Sequence, residues 1–215
     1  MNVNEQISAV QRTVVDEKVD GADARVQTLA QEYPSDINDV WDAVTNAERI
    51  PRWFLPISGD LKLGGHYQFE GNAGGKILEC QPPADDKARY RVTWEMGGGV
   101  TWVEVRLAAT GEDSTRLELE HTAKNGDIPL GFWDQYGPGA TGVGWDGGLL
   151  GLALYLAGDS SVTPEKAAEW AFSEEGKAFY RAAADAWGAA HAAYGADPEA
   201  AQKGADATYG FYTGS

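Results

Sequence analysis

The sequence predicts an α+β fold in which one antiparallel sheet is covered on a single face by helices. Three features carry that expectation: short runs of alternating apolar and polar residues between turns, apolar residues at helical spacing before and after them, and an excess of glycine. Glycine supplies 27 of the 215 residues, nearly twice the share of about 7% in an average chain. With 43% hydrophobic residues and eight tryptophans, a chain of this length can bury roughly 70% of its unfolded surface in a core.

In chain order, RTVVDEKV and ARVQTLAQEY read as two strands ahead of the main sheet. In YPSDINDVWDAVTNAERIPRWFLP, Ser35 or Asp36 caps a helix carrying Ile37, Val40, Trp41 and Val44 on one face. Asn46 then caps a second short helix that Pro51 stops. Residues 61–124 form a meander with turn residues about every ten positions. Tyr90, Val92, Trp94 and Met96 share one strand face opposite Arg91, Thr93 and Glu95. After the MGGGV turn, Val103, Val105 and Leu107 oppose Trp102, Glu104 and Arg106, and Leu117, Leu119 and His121 oppose Arg116, Glu118 and Glu120. One face is apolar and the other charged, so helices cover a single side.

A glycine-rich helix follows over about 141–157, with Val143, Leu150, Leu154 and Ala157 near one face. Gly144/Gly148 and Gly147/Gly151 are small pairs four apart. Glycine disfavours a helix by about 1 kcal/mol relative to alanine, so these positions imply close approach to a neighbour or space left beneath the helix. From Ser161 on the chain is Ala-rich: Ser173 starts a helix whose small-residue stripe runs from Phe179 through Trp187 to Ala190, and Gly195 and Pro198 end it. The expected organisation is an N-terminal extension over 1–23 with an extra strand, a main domain over 24–158, and an Ala-rich helical extension over 159–215.

The net charge of −16 and pI near 4.4 argue against nucleic acid and anionic membrane surfaces, which are recognised by clustered Lys and Arg. Residues 160–215 carry eight acids and four bases, so the acidity is spread along the chain and reads as solubility. A single cysteine, Cys80, precludes an internal disulfide. With no signal-like or membrane-length apolar run, the expected location is the cytoplasm.

No motif defines a cofactor or metal site. GPGATG at Gly137–Gly142 matches G-x-G-x-x-G, but FWDQY precedes it where a buried parallel strand is required. His66, His121 and His191 lie in no metal spacing. Strand parity turns His121 inward and Glu70, Glu95, Glu104, Glu118 and Glu120 outward, while Asp146 in the glycine-rich helix is expected to reach solvent. No acid/base pair results. The aromatics Trp53, Phe54, Tyr67, Phe69, Trp94, Trp133, Tyr136 and Trp145 are mostly core, but a one-sided sheet roofed by helices favours an apolar cavity.

Five segments in this order resemble the helix-grip, START-like (SRPBCC) superfamily, in its family of homologues of the activator of the 90-kDa heat-shock-protein ATPase. They are VWDAVTNAERIPRWFLP (Val40 to Pro56), LKLGGHYQFEGNAGGKILECQPP (Leu61 to Pro83), VTWE (Val92 to Glu95), TRLELEHTA (Thr115 to Ala123) and GVGWDGGLLGL (Gly142 to Leu152). The resemblance implies a sheet wrapped around a long C-terminal helix, with two short helices after the first strands and a ligand cavity in between. It also implies that Trp53, Trp94, His121, Trp145 and Leu149 face or adjoin that cavity.

The expected function is binding of a small hydrophobic or aromatic molecule in this cavity. Trp53, Phe54, Tyr67, Phe69, Trp94, Trp145 and Leu149 would supply apolar area and His121 a polar handle. One alternative is a cyclase- or hydrolase-like enzyme with His121 as acid or base. Another is a co-chaperone-like module whose partner is a chaperone or a second copy of the chain.

Overall fold

The computed structural model describes residues 2–214. Helix α1 (Val3–Ala9) is capped by the Asn2 side chain and leads into the hairpin β1 (Gln11–Val19) and β2 (Ala22–Tyr33). Helix α2 (Ile37–Thr45) follows; of the two cap candidates it is Asp36 that accepts from the Asn38 and Asp39 amides. A 3-10 turn at Ile50–Arg52 comes next, and Pro51 lies within its first turn instead of stopping it. Proline fits there because the first N–H groups of a helix need no intrahelical partner.

The remaining strands are β3 (Ile57–Gly59), β4 (His66–Phe69), β5 (Gly74–Ala84), β6 (Lys87–Met96), β7 (Gly99–Gly111) and β8 (Ser114–Lys124). All eight form one antiparallel sheet in the order β1-β2-β8-β7-β6-β5-β4-β3. The β6–β7 hairpin turns on Gly97 and Gly98, whose φ values of 63° and 85° are those of a two-residue turn matched to the twist of the strands.

Strand parity holds where the faces matter. Val92, Val103, Val105, Leu107, Leu117 and Leu119 are buried together. On the opposite face Arg106 bonds Glu104, Glu118 and Glu120 across β7 and β8. Met96, assigned to the inner face, is 61% exposed because it sits at the hairpin end. In β5 the register slips between Ile77 and Glu79 and again between Gln81 and Ala84, around the prolines Pro82 and Pro83 that lack a ladder N–H.

After β8, helices α3 (Phe132–Tyr136) and α4 (Gly139–Leu156) follow, so the GPGATG segment is the corner between them and the first turn of α4. Helix α4 is buried on all sides. One face lies over the sheet and the other under α6 (Glu174–Tyr194), where Leu150 and Leu154 meet Phe179. Ser173 caps α6 and Gly195 closes it with φ 116°. Helix α5 (Pro164–Ala171) precedes it.

Helix α6 ends before Pro198. That proline begins α7 (Pro198–Thr213), with Asp197 accepting from the Glu199 and Ala200 amides. An Asp-Pro pair is a start signal as readily as a stop, and here it starts a helix that packs on α6.

Candidate ligand cavity

Between the inner sheet face and the lower face of α4 lies a cavity of about 110 Å³. Its wall comes from the segment after α2 (Trp53, Phe54, Ile57), from β4 (Tyr67, Phe69), from β5 to β8 (Ile77, Cys80, Tyr90, Val92, Trp94, Val103, Val105, Leu117, Leu119), and from α4 (Trp145, Gly148, Leu149, Leu152). The aromatic side chains touch in a continuous chain. Ring centroids lie 5.6 Å apart for Trp53–Phe54, 5.1 Å for Phe54–Phe69, 5.7 Å for Phe69–Trp94 and 4.8 Å for Trp94–Trp145.

Glycine in α4 serves two different ends. At Gly148 an added Cβ would lie 3.5 Å from the Phe54 ring, an ordinary contact, so this position leaves room in the cavity roof. At Gly142 a Cβ would fall 2.1 Å from Cε2 of the fully buried Trp187, so here the helix is in tight contact with α6.

The polar atoms of the wall are turned to protein partners. Trp53 Nε1 donates to the Ala43 carbonyl at 2.9 Å, the Tyr67 hydroxyl to the Thr93 carbonyl at 2.7 Å, and Thr45 Oγ1 to the Trp41 carbonyl at 2.7 Å. Trp145 Nε1 donates to His121 Nδ1 at 3.0 Å. The exceptions are the Tyr90 hydroxyl, Trp94 Nε1 and the Cys80 thiol, which have no hydrogen-bond partner among the described residues although all three side chains line the cavity.

Seven of the eight residues expected at the site, Trp53, Phe54, Tyr67, Phe69, Trp94, Trp145 and Leu149, are brought together in this wall. His121 is not among the lining residues. It lies behind Trp145, 8% exposed, and both ring nitrogens are engaged. An indole N–H can only donate, so Nδ1 carries the lone pair and Nε2 the proton. Nε2–H therefore donates to Thr101 Oγ1 at 2.8 Å, and that hydroxyl donates to the Trp94 carbonyl at 3.1 Å. Burial lowers the His121 pKa to about 4, so the ring is neutral at pH 7. A histidine so held positions Trp145 and Trp94; it has neither a free lone pair nor access to the cavity.

Asp146 corrects a second expectation. It is 1% exposed instead of solvated, and its carboxylate accepts from Arg12 Nε at 3.2 Å, from the second Arg12 nitrogen at 2.7 Å and from Trp187 Nε1 at 2.8 Å. Burial pushes the carboxyl pKa up, and the Arg12 and Trp187 donors oppose that rise. Trp133 also lies away from the cavity, under the Arg25 guanidinium at 4.2 Å and edge-on to His191.

Tyr90 and Cys80 are wall residues that were not singled out. For Tyr90 the signal was present, since it shares strand parity with Val92 and Trp94. Cys80 follows only from knowing that it pairs with Tyr90 across β5 and β6. Among the described residues no cluster of three or more His, Cys, Asp or Glu is placed to hold a metal ion, and no helix is long and apolar enough to cross a membrane.

An eight-stranded antiparallel sheet gripping a long helix over an aromatic cavity defines a protein of the helix-grip, START-like class. Residues 34–156 match the model of the activator of Hsp90 ATPase homolog 1-like proteins, and the chain belongs to that family. Among solved structures it is similar to CalU16 from Micromonospora echinospora. The crystal structure of that protein is 32% identical, with TM-score 0.63 over 86% of this chain and 98% of that one. Its solution structure is 33% identical, with TM-score 0.66 over 86% and 94%. A weaker likeness, 22% identical with TM-score 0.40 over 48% of this chain and 74% of that one, is to PFC0360w, an HSP90 activator from Plasmodium falciparum. No curated protein matches the chain.

Proposed function

We propose that this protein binds a small apolar or aromatic molecule, about one ring in size, in the cavity beneath α4. The observation that carries the reading is a predominantly apolar, aromatic wall in which the polar hydrogens of Trp53, Tyr67, Thr45 and Trp145 are already bonded within the protein. Such a space repels water, which needs two to four polar partners, and favours hydrocarbon. Its volume of about 110 Å³ is of the order of the roughly 150 Å³ core cavity that takes up benzene in another protein.

Acid–base chemistry at His121 draws no support from this geometry, because Trp145 occupies its lone pair. The co-chaperone reading rests on the family's description alone. Calorimetric titration with toluene tests the binding proposal: saturable one-to-one binding is expected, and Gly148→Leu, which fills the roof, is expected to abolish it. Toluene binding that Gly148→Leu leaves intact would place the ligand elsewhere and sink the proposal.

A further inference from the structure

The wall is chemically uneven. At the α4 end it is indole and phenyl surface, with the Trp145 N–H turned to His121. On the sheet, Tyr90 and Cys80 stand side by side as a cross-strand pair on the inner face. The Tyr90 ring is held edge-on by Trp41 at 6.2 Å, so its position is fixed by packing that a phenylalanine would provide equally well.

The hydroxyl is thus superfluous to the fold, and no group among the described residues satisfies it. Burial raises its pKa well above the ordinary value of a phenol, so it is a neutral group able to donate or accept. Cys80, beside it, is a free thiol and at most a weak partner. Among the described residues, no Asp, Glu, Lys or Arg lines the cavity. A charged ligand would have no counter-ion there, and a pure hydrocarbon would displace water from the hydroxyl without replacing its hydrogen bond, which is unfavourable.

We propose that Tyr90 is the polar anchor of this cavity, and that the ligand is a single aromatic ring bearing one neutral oxygen, a phenol or aryl carbonyl, that hydrogen-bonds the Tyr90 hydroxyl. This deepens the cavity-binding reading above and rests on it. The ring packs among Phe54, Phe69, Trp94 and Trp145, and the oxygen points toward β6 between Tyr90 and Cys80.

Phenol and toluene are near-isosteric and differ only in the group that would meet Tyr90. Titrating wild type and Tyr90→Phe with each by calorimetry gives the phenol-to-toluene affinity ratio, which cancels any general change in the cavity. Tyr90→Phe is expected to lower this ratio about tenfold, the effect of one lost hydrogen bond. Toluene binding with a ratio unchanged within twofold would overturn the anchor and leave the cavity reading standing. If neither probe bound wild type, both would fall.

Discussion

Helix α4 has two faces that solve opposite problems, and adjacent residues belong to each. Trp145 points into the cavity and donates its indole N–H to neutral His121; Asp146, one residue on, points away and accepts from Arg12 and from the Trp187 indole. The cavity face is apolar, with its few polar atoms paired off and a glycine, Gly148, leaving space. The outer face is filled to contact, with Gly142 against Trp187, an ion pair joining β1 to α4 and an indole hydrogen bond from α6 to the same carboxylate. The contrast teaches that the C-terminal helices anchor α4 from behind, so that the space in front of it need not collapse.

The largest effect is expected on the outer face. Asp146→Ala would leave the Arg12 guanidinium, 6% exposed, buried without its counter-charge, and removing one member of such a pair is destabilising by about 3–5 kcal/mol. Urea unfolding measures this; a loss under about 1 kcal/mol would show that the ion pair does not hold α4 in place.

The cavity face is expected to respond to pH. His121 titrates near 6.5 when unfolded and at about 4 when folded, so the unfolded chain binds more protons between those values. Its contribution is present in full above pH 6.5 and is lost as pH falls toward 4, by roughly 3 kcal/mol in total. Unfolding free energies across that window, compared with those of His121→Gln, isolate the contribution. Parallel pH profiles for the two proteins would contradict the buried neutral imidazole.

The smallest effects compare the two glycines directly. Gly142→Ala places a methyl group 2.1 Å from Trp187, and overpacking of that kind is destabilising by about 1–3 kcal/mol. Gly148→Ala meets only ordinary contact with Phe54 at 3.5 Å, and alanine's helix preference offers up to about 1 kcal/mol in return. Thermal melts should therefore separate the two variants, with Gly148→Ala at or above wild type. Equal losses would mean that α4 is packed alike on both faces.

Much of this arrangement was legible in the residues. Alternation in 90–96, 103–107 and 117–121 placed the inner and outer sheet faces, and Trp53, Phe54, Tyr67 and Phe69 of the IPRWFLP and GHYQF segments lie in the wall. What failed did so for physical reasons. Asp146 was expected in solvent because a carboxylate in an apolar helix is normally exposed; its partners lie 134 residues before it and 41 after it, beyond any local pattern. His121 was rightly turned inward, but parity fixes only the side of the sheet, and Trp145 stands between it and the cavity. Helix α4 reads as apolar on every side because both faces are covered, which hid the division of labour between them.

The central claim, a ligand site on one face of α4 and an anchor on the other, is tested most directly by the indole N–H resonances of a ¹⁵N-labelled sample during titration with phenol. The Trp145 and Trp94 signals should shift progressively to saturation while that of Trp187, across the same helix, stays in place. Movement of Trp187 with Trp145 and Trp94 unchanged, or no movement of any indole, would contradict it.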